Sequence, residues 1–319
     1  MSLIAILAAL GLEQWRAFRW RGSLERIFIR YTRFIERQFN AGSVRHGVMA
    51  VAAALLPPVL VATAVFEGLD HVSPLLGLVW NIVLLYLLMG FRHFSHAFTE
   101  IAAALKSGDV AAARRWLAGW RGGTTHDLSS GDVAKLAIER GLLDSYGQVF
   151  ATLFWFMLLP GPAGAVLYRA ASLLATQWRD NTPGEEVSAL GAAFAQFGQP
   201  ARRLLWLLDW VPVRLTALSF AIVGDFEDAI YCWRTQASEW IGQAGGLHAG
   251  ILLASGAGAL GVAIGGMLPT LGEPEFRPVM GMGEEASADV LPSTVALGWR
   301  TLILWLLLLL LLTLAYLAP

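Results

Sequence analysis

Two long hydrophobic runs lie close together near the start of the chain. Residues 47–66 (GVMAVAAALLPPVLVATAVF) contain no charged side chain, and residues 74–91 form a second apolar run. About 20 apolar residues in a helix cross a hydrocarbon layer of about 30 Å. The link between the runs, residues 67–73, is short, so the pattern predicts an antiparallel transmembrane hairpin. Pro57 and Pro58 remove backbone donors, which predicts a kink in its first helix.

Further apolar segments follow in the second half of the chain. Residues 149–159 and 163–175 are separated by Pro-Gly-Pro, which predicts a broken or re-entrant membrane hairpin, and residues 176–199 are predicted to be a polar linker. Residues 299–316 carry Trp at one end and Tyr at the other, as interface anchors do. The pattern predicts about four to six membrane helices in an all-α fold, some of them broken or re-entrant.

A glycine-rich apolar segment covers residues 248–271. Gly261 and Gly265 form a GxxxG pair, and small residues at that spacing let two helices approach closely. Glycine also lowers helix propensity, so a buried mixture of loop and helix is the alternative.

The charges predict an orientation in the membrane. Residues 13–46 and 92–148 contain most of the arginines and lysines, whereas the hairpin tip between them offers Glu67, Asp70 and His71. The positive-inside rule then places both basic segments on the cytoplasmic side of the membrane. The apolar residues 3–12 predict a membrane-entry helix that is retained.

Two polar segments are predicted to be helical. Residues 23–39 place apolar side chains on one face and arginines opposite, which is typical of a helix against anionic lipid headgroups or of a helix packed on the protein. Residues 92–148 predict a helical cytoplasmic insert, with Asp109 capping one helix and Ser130 or Asp132 the next. We therefore divide the chain at 1–91, 92–148 and 149–319.

Composition excludes several classes of protein. The chain is 56% hydrophobic and 15% charged, whereas soluble domains average about 25% charged residues. A net charge of −1 argues against nucleic acid as a partner. The single cysteine, Cys232, excludes a disulfide framework and a multi-cysteine metal site. We predict no metal and no cofactor; the expected partners are the lipid bilayer, its anionic headgroups or another membrane protein.

Ionisable residues beside or inside apolar runs are the candidate binding residues. Arg92 and His96 lie one helical turn apart at the start of the insert, and a solvated helix start is the simpler interpretation. Asp209 and Arg214 fall inside an apolar run, where a charge is costly unless it is paired. They indicate a ligand contact, an internal ion pair or a position at the interface.

Two stretches resemble a known family. Residues 208–224 (LDWVPVRLTALSFAIVG) closely resemble a segment of the AmpE proteins, and residues 254–266 (ASGAGALGVAIGG) are similar to a glycine-rich CbiB pattern. The chain thus resembles the CobD/CbiB family of membrane proteins, most closely its AmpE branch. Arg92, Glu139, Pro212 and Arg214 match family positions, which implies that Glu139 is a further binding residue.

The resemblance implies one of two functions. CbiB-type enzymes join an amino alcohol phosphate to adenosylcobyric acid with ATP, whereas AmpE proteins act in signalling of cell-wall state and β-lactamase regulation. The family's acidic motif falls on residues 142–148, where Leu143 and Gly147 replace acids. Because ATP chemistry needs such carboxylates, this loss favours an AmpE-like, non-catalytic signalling protein. An adenosylcobinamide-phosphate synthase and an accessory subunit of a membrane complex are the alternatives.

Overall fold

The fold is almost entirely helical. A computed structural model describes residues 2–15, 21–122, 125–180, 189–270 and 273–317. Contacts divide the chain into two compact units, unit 1 (Met1–Gly90 and Gly147–Trp210) and unit 2 (Phe91–Tyr146 and Val211–Pro319). The prediction of an all-α membrane fold is confirmed, although the described residues also contain a small sheet that the sequence did not predict.

The described residues form the following helices and strands, in chain order: α1 (Ser2–Trp15), α2 (Arg21–Phe39), α3 (Val44–Val72), α4 (Pro74–Leu88), α5 (Phe91–Lys106), α6 (Val110–Arg121), α7 (Ser130–Ser145), α8 (Ala151–Leu158), α9 (Ala163–Asp180), α10 (Ala189–Val223), α11 (Phe226–Gln236), α12 (Gly246–Leu260), β1 (Val262–Thr270), β2 (Glu273–Met280), β3 (Glu284–Glu285) and α13 (Leu291–Leu317). A π-helical turn (Tyr146–Phe150) precedes α8, and a 3₁₀ turn (Ala237–Gly242) follows α11.

Three helices are long and apolar enough to cross a membrane. They are Val44–Val72, Gln196–Val223 within α10 and Leu291–Ala315 within α13. The helices α1, α4 and α12 are also apolar but shorter. The chain is therefore a polytopic membrane protein, and the range of four to six passes stays a prediction.

The predicted hairpin near the start of the chain is present in unit 1. Helices α3 and α4 meet at Ser73 alone, because α3 continues through most of the predicted link. The helix also continues across Pro57 and Pro58. The indole of Trp80 donates a 3.0 Å hydrogen bond to the Ala62 carbonyl, which ties the two arms together.

The broken hairpin is also present, with its break at Pro160-Gly161-Pro162 between α8 and α9. A Cβ on Gly164 would lie 1.9 Å from the Trp155 carbonyl oxygen, so glycine there permits the close approach of the two helices. The predicted linker 176–199 is wrong at both ends, because α9 extends to Asp180 and α10 begins at Ala189. Residues 181–188 lie outside the described part of the chain.

The insert forms three helices, α5 to α7, within unit 2. The Asp109 carboxylate accepts a 2.8 Å hydrogen bond from the Ala112 amide, so the predicted cap of α6 is confirmed. The cap of α7 is Ser129, and the prediction of Ser130 or Asp132 as the cap is wrong. Asp132 instead accepts a 2.9 Å hydrogen bond from the Ser129 amide and completes a capping box.

Replacing Asp109 by Ala should loosen the first turn of α6. Removing an N-cap acceptor costs about 1 kcal/mol, which corresponds to roughly fivefold faster amide exchange at Ala112. Hydrogen exchange of the full-length protein, read by mass spectrometry on peptides covering α6, measures this change. Asp109→Asn keeps a capping oxygen and should exchange at the wild-type rate. Equal exchange in Asp109→Ala would show that this cap does not hold the turn.

The glycine-rich segment differs from its predicted form. Helix α12 ends at Leu260, Gly261 is its left-handed cap with φ 67°, and Gly265 lies in β1 with φ 89°. The GxxxG interpretation is therefore wrong, because the two glycines do not share a helix face. Positive φ stops the helix at the first glycine and bends the strand at the second, where a Cβ would lie 2.3 Å from the Pro278 oxygen.

Close packing of α12 depends on other glycines. A Cβ on Gly258 would lie 2.6 Å from the Asp228 carbonyl oxygen of α11, and a Cβ on Gly256 would meet the Leu142 side chain of α7 at 2.8 Å. Small residues therefore do allow close helix packing here, at positions three and five residues before Gly261.

Candidate functional site

Unit 2 contains a buried ion pair between helix α7 and strand β2. The Nη1 atom of Arg277 lies 2.6 Å from Oε1 of Glu139, and the side chains of Arg277 and Glu139 are only 10% and 12% exposed. Withdrawing charges from water is costly unless each is paired and hydrogen-bonded. Glu139 is thus a predicted site residue that the structure places in a polar contact inside the protein.

A second ion pair adjoins the first on α7. Lys135 is one helical turn before Glu139, so both side chains lie on the same face. The Lys135 ammonium lies 3.2 Å from the Glu285 carboxylate of β3, which is 82% exposed. We call Lys135, Glu139, Arg277 and Glu285 the α7 charge cluster.

The sheet holds the cluster's arginine in place. Strand β1 pairs antiparallel with β2 and parallel with β3, and Arg277 is the cross-strand partner of Gly266. The side-chain amide of Gln236 donates to the Gly281 carbonyl at 3.1 Å and accepts from the Gly281 amide at 2.7 Å. This two-bond clamp fixes the end of β2 against α11.

Asp144 is a further carboxylate on α7. It accepts hydrogen bonds from the indole of Trp120 at 3.0 Å and from Nε of Arg140 at 3.1 Å, and its side chain is 12% exposed. It lies in the segment where the family's acidic motif falls. That segment therefore contains a carboxylate, although Asp144 takes the position of the family's Asn and not of either acid.

Unit 1 has its own part-buried polar contacts. The hydroxyl of Tyr168 donates a 3.0 Å hydrogen bond to Oδ1 of Asp209, and the role of Asp209 as a binding residue stays a prediction. The Nη2 atom of Arg169 lies 2.9 Å from the Glu25 carboxylate.

The start of the insert is more open. The His96 imidazole is 64% exposed and lies 3.6 Å from the Glu100 carboxylate, beside the ring of Trp116. Arg92 is half-buried on the same helix. The contacts of His96 fit a solvated helix start, and its role as a binding residue, like that of Arg92, stays a prediction.

Arg214 lies in α10 within unit 2, where its charge acts on His248 at the start of α12. Burial lowers the pKa of His248 to about 4, and the positive charge of Arg214 lowers it in the same direction. The role of Arg214 as a binding residue stays a prediction.

The structure brings together residues that the sequence did not connect. Arg277, Lys135 and Tyr168 were not predicted as site residues, since each occurs outside any recognisable motif. Glu139 and Arg277 are 138 residues apart in the chain, and no pattern in a single sequence links them. Among the described residues, no group of three His, Cys, Asp or Glu side chains is placed to hold a metal ion.

These features define a polytopic helical membrane protein with a helical insert and the α7 charge cluster, in which the pair of Glu139 and Arg277 is buried. The family model for the CobD/Cbib protein matches residues 6–298. The chain belongs to the CobD/CbiB family.

Curated relatives agree with this assignment. The chain is 37% identical over 280 residues to the "Cobalamin biosynthesis protein CobD" of Stutzerimonas stutzeri, covering 86% of each protein. It is 34% identical over 259 residues to the protein of the same name from Chromobacterium violaceum, covering 81% of this chain and 77% of the relative. A third protein of that name, from Photorhabdus laumondii, is 27% identical to the chain over 293 residues, covering 88% of each protein. No solved structure matches the chain significantly.

The expectation of an AmpE-like signalling protein is wrong. Similarity to proteins named for cobalamin biosynthesis extends over most of the chain, and the family match covers residues 6–298. These findings favour the cobalamin alternative and give no support to a role in antibiotic response.

Proposed function

We propose that the protein acts in cobalamin biosynthesis, as a membrane enzyme that joins an amino alcohol phosphate to a corrinoid carboxylate through an amide bond, with ATP. The observation that carries this proposal is the 37% identity over 280 residues to a protein named for cobalamin biosynthesis. The resemblance to CbiB-type enzymes supplies the reaction.

The bacterial inner membrane is the proposed location. The relatives are bacterial, and the long apolar helices require a bilayer. Segments 13–46 and 92–148 are proposed to face the cytoplasm, where ATP is available, because they carry most of the basic residues. Under this proposal, the insert 92–148 lies in the cytoplasm, and the long apolar helices belong to segments 1–91 and 149–319.

The proposed reaction needs positively charged side chains that bind phosphate and carboxylate side chains that bind the ammonium group of the substrate. Arg92 and Arg214 are the proposed phosphate-binding residues, since guanidinium groups bind phosphate with paired hydrogen bonds. Glu139 is the proposed carboxylate near the ammonium group of the substrate, and Asp209 stays a predicted binding residue within unit 1. His96 is proposed to contact the anionic end of a substrate.

The described residues do not fit a resident divalent metal, since no three of the usual ligands converge. We therefore treat Mg²⁺ as part of the nucleotide substrate and assign no step to it.

Two assays test the proposal. Expression of the gene should restore cobalamin-dependent growth to a bacterium that lacks its own CobD. Purified full-length protein in detergent should convert adenosylcobyric acid, aminopropanol phosphate and ATP into the amide, identified by mass spectrometry. Failure in both assays, with protein that is folded by circular dichroism, would contradict the proposal.

Substitutions then test the residues. Arg214→Gln should lower kcat/KM by at least tenfold, because a charge-assisted contact to phosphate contributes about 1.5–3 kcal/mol. Lys106→Gln, an exposed change at the end of α5, is the matched control and should stay within twofold of the wild type. An equal loss of kcat/KM in both variants would argue against a specific role for Arg214.

A further inference from the structure

Helix α2 has one face fixed to unit 1. The hydroxyl of Tyr31 donates a 2.7 Å hydrogen bond to the Ala53 carbonyl of α3, and the Thr32 hydroxyl bonds to the side chain of Gln177 in α9. The ion pair between Glu25 and Arg169 adds a third contact on this side. These contacts set the rotation of the helix about its axis.

The opposite face of α2 carries an arginine stripe, formed by Arg26, Arg30, Arg33 and Arg37, all of them exposed. At 3.6 residues per turn the four fall within an arc of roughly 60°. Within the described part of the chain, Arg30, Arg33 and Arg37 form no ion pair.

Two apolar side chains border the stripe. Ile27 and Phe34 are 59% and 61% exposed, and both lie between the arginines and the packed face of the helix. An interfacial helix has this arrangement, with apolar groups entering the acyl-chain boundary while the cationic groups remain among the headgroups.

We propose that the arginine stripe of α2 binds anionic phospholipid headgroups at the cytoplasmic surface of the membrane. The occupant is lipid because the stripe combines fixed positive charge with exposed apolar groups. A helix that is held on its other face cannot turn this stripe back onto the protein. The contacts of α2 with α3 and α9 fit the prediction of a helix packed on the protein, and the headgroup prediction becomes the proposal for the opposite face. This proposal does not depend on the catalytic function.

Native mass spectrometry of the detergent-solubilised full-length protein tests the proposal. Phosphatidylglycerol is titrated against wild-type protein, with phosphatidylcholine as the neutral probe. Each basic residue near an anionic surface strengthens binding by about fivefold. Arg30→Gln/Arg37→Gln should therefore raise the Kd for phosphatidylglycerol at least fivefold and leave phosphatidylcholine binding unchanged. Lys106→Gln/Arg234→Gln removes two exposed charges elsewhere and should stay within twofold of the wild type.

A charge-preserving variant separates lipid binding from a folding defect. Arg30→Lys/Arg37→Lys should keep the preference for phosphatidylglycerol and the wild-type melting temperature. The proposal is overturned if wild-type protein does not prefer the anionic lipid, if Arg30→Gln/Arg37→Gln retains that preference, or if the lysine variant loses it.

Discussion

Replacing Glu139 by Leu is expected to lower the free energy of unfolding by about 3–5 kcal/mol, because the buried Arg277 guanidinium would lose its counter-charge. The pair is close, at 2.6 Å, and both side chains are largely shielded from water. Denaturant unfolding of the purified protein in detergent, followed by circular dichroism, measures the effect.

Removing both charges should largely reverse this loss. A buried ion pair replaced by apolar side chains of similar volume is often neutral or stabilising, so Glu139→Leu/Arg277→Met should unfold within about 1 kcal/mol of the wild type. Glu285→Gln is the matched control, because it removes one charge from the neighbouring pair with Lys135. Its pair with Lys135 is solvent-exposed on one side, and such pairs contribute at most about 1 kcal/mol.

The double variant also separates stability from function. If Glu139 contacts substrate as proposed, Glu139→Leu/Arg277→Met should be folded but inactive in the amide-forming assay. A stable and fully active double variant would show that the pair has only a structural role. A single Glu139→Leu variant as stable as the wild type would contradict the buried-pair argument itself.

Gly281→Ala is expected to destabilise the protein by about 2–5 kcal/mol. Gly281 has φ 90°, and a non-glycine residue with positive φ costs about 1–2 kcal/mol. Its Cβ would also lie 2.0 Å from the Val262 carbonyl oxygen, a backbone atom that cannot rotate away. Overpacking of this kind adds about 1–3 kcal/mol.

The same unfolding assay measures this effect against Gly119→Ala. Gly119 is in α6, and nothing lies within 4 Å of its ideal Cβ position, so alanine should stabilise the helix by up to about 1 kcal/mol. Destabilisation of similar size in the two variants would indicate a general intolerance of unit 2 to added volume. Wild-type stability in Gly281→Ala would contradict the turn geometry.

The membrane helices could be predicted from the sequence because a membrane span depends only on the residues within the helix itself. A run of about 20 apolar residues is sufficient for a span in any context. Residues 47–66 lie within α3, and residues 299–316 lie within α13. Helix ends were harder to predict: residues 176–180 and 189–199, which the sequence assigned to the linker, are helical. The second of these stretches is mostly Ala, Phe and Leu.

The glycine-rich segment shows what composition cannot distinguish. Gly258 and Gly261 are three residues apart, yet one permits close helix packing and the other ends the helix. Glycine suits both a close helix contact and a left-handed helix end, so the spacing of glycines alone does not distinguish the two. The Asp109 cap, by contrast, was predictable because its hydrogen bond reaches only three residues along the chain.

The site could be predicted only in part. Glu139 was identified through family resemblance, whereas its partner Arg277 lies in β2, a strand that depends on pairing with a distant part of the chain and that the sequence did not predict. The functional prediction went wrong because it weighted a few lost acids over similarity spread along 280 residues. Asp144, held by Trp120 and Arg140, gives that segment a carboxylate at the position of the family's Asn.

The unequal arms of the first hairpin have a consequence for the surrounding bilayer. Helix α4 has 15 residues, so at 1.5 Å per residue it is about 22 Å long, roughly 8 Å short of the hydrocarbon thickness. Such a hydrophobic mismatch is relieved by local thinning of the lipid, or by backbone that stays at that depth inside the protein. Met89 and Gly90, which follow the helix, are both buried, so the protein itself shields the chain where the helix stops short.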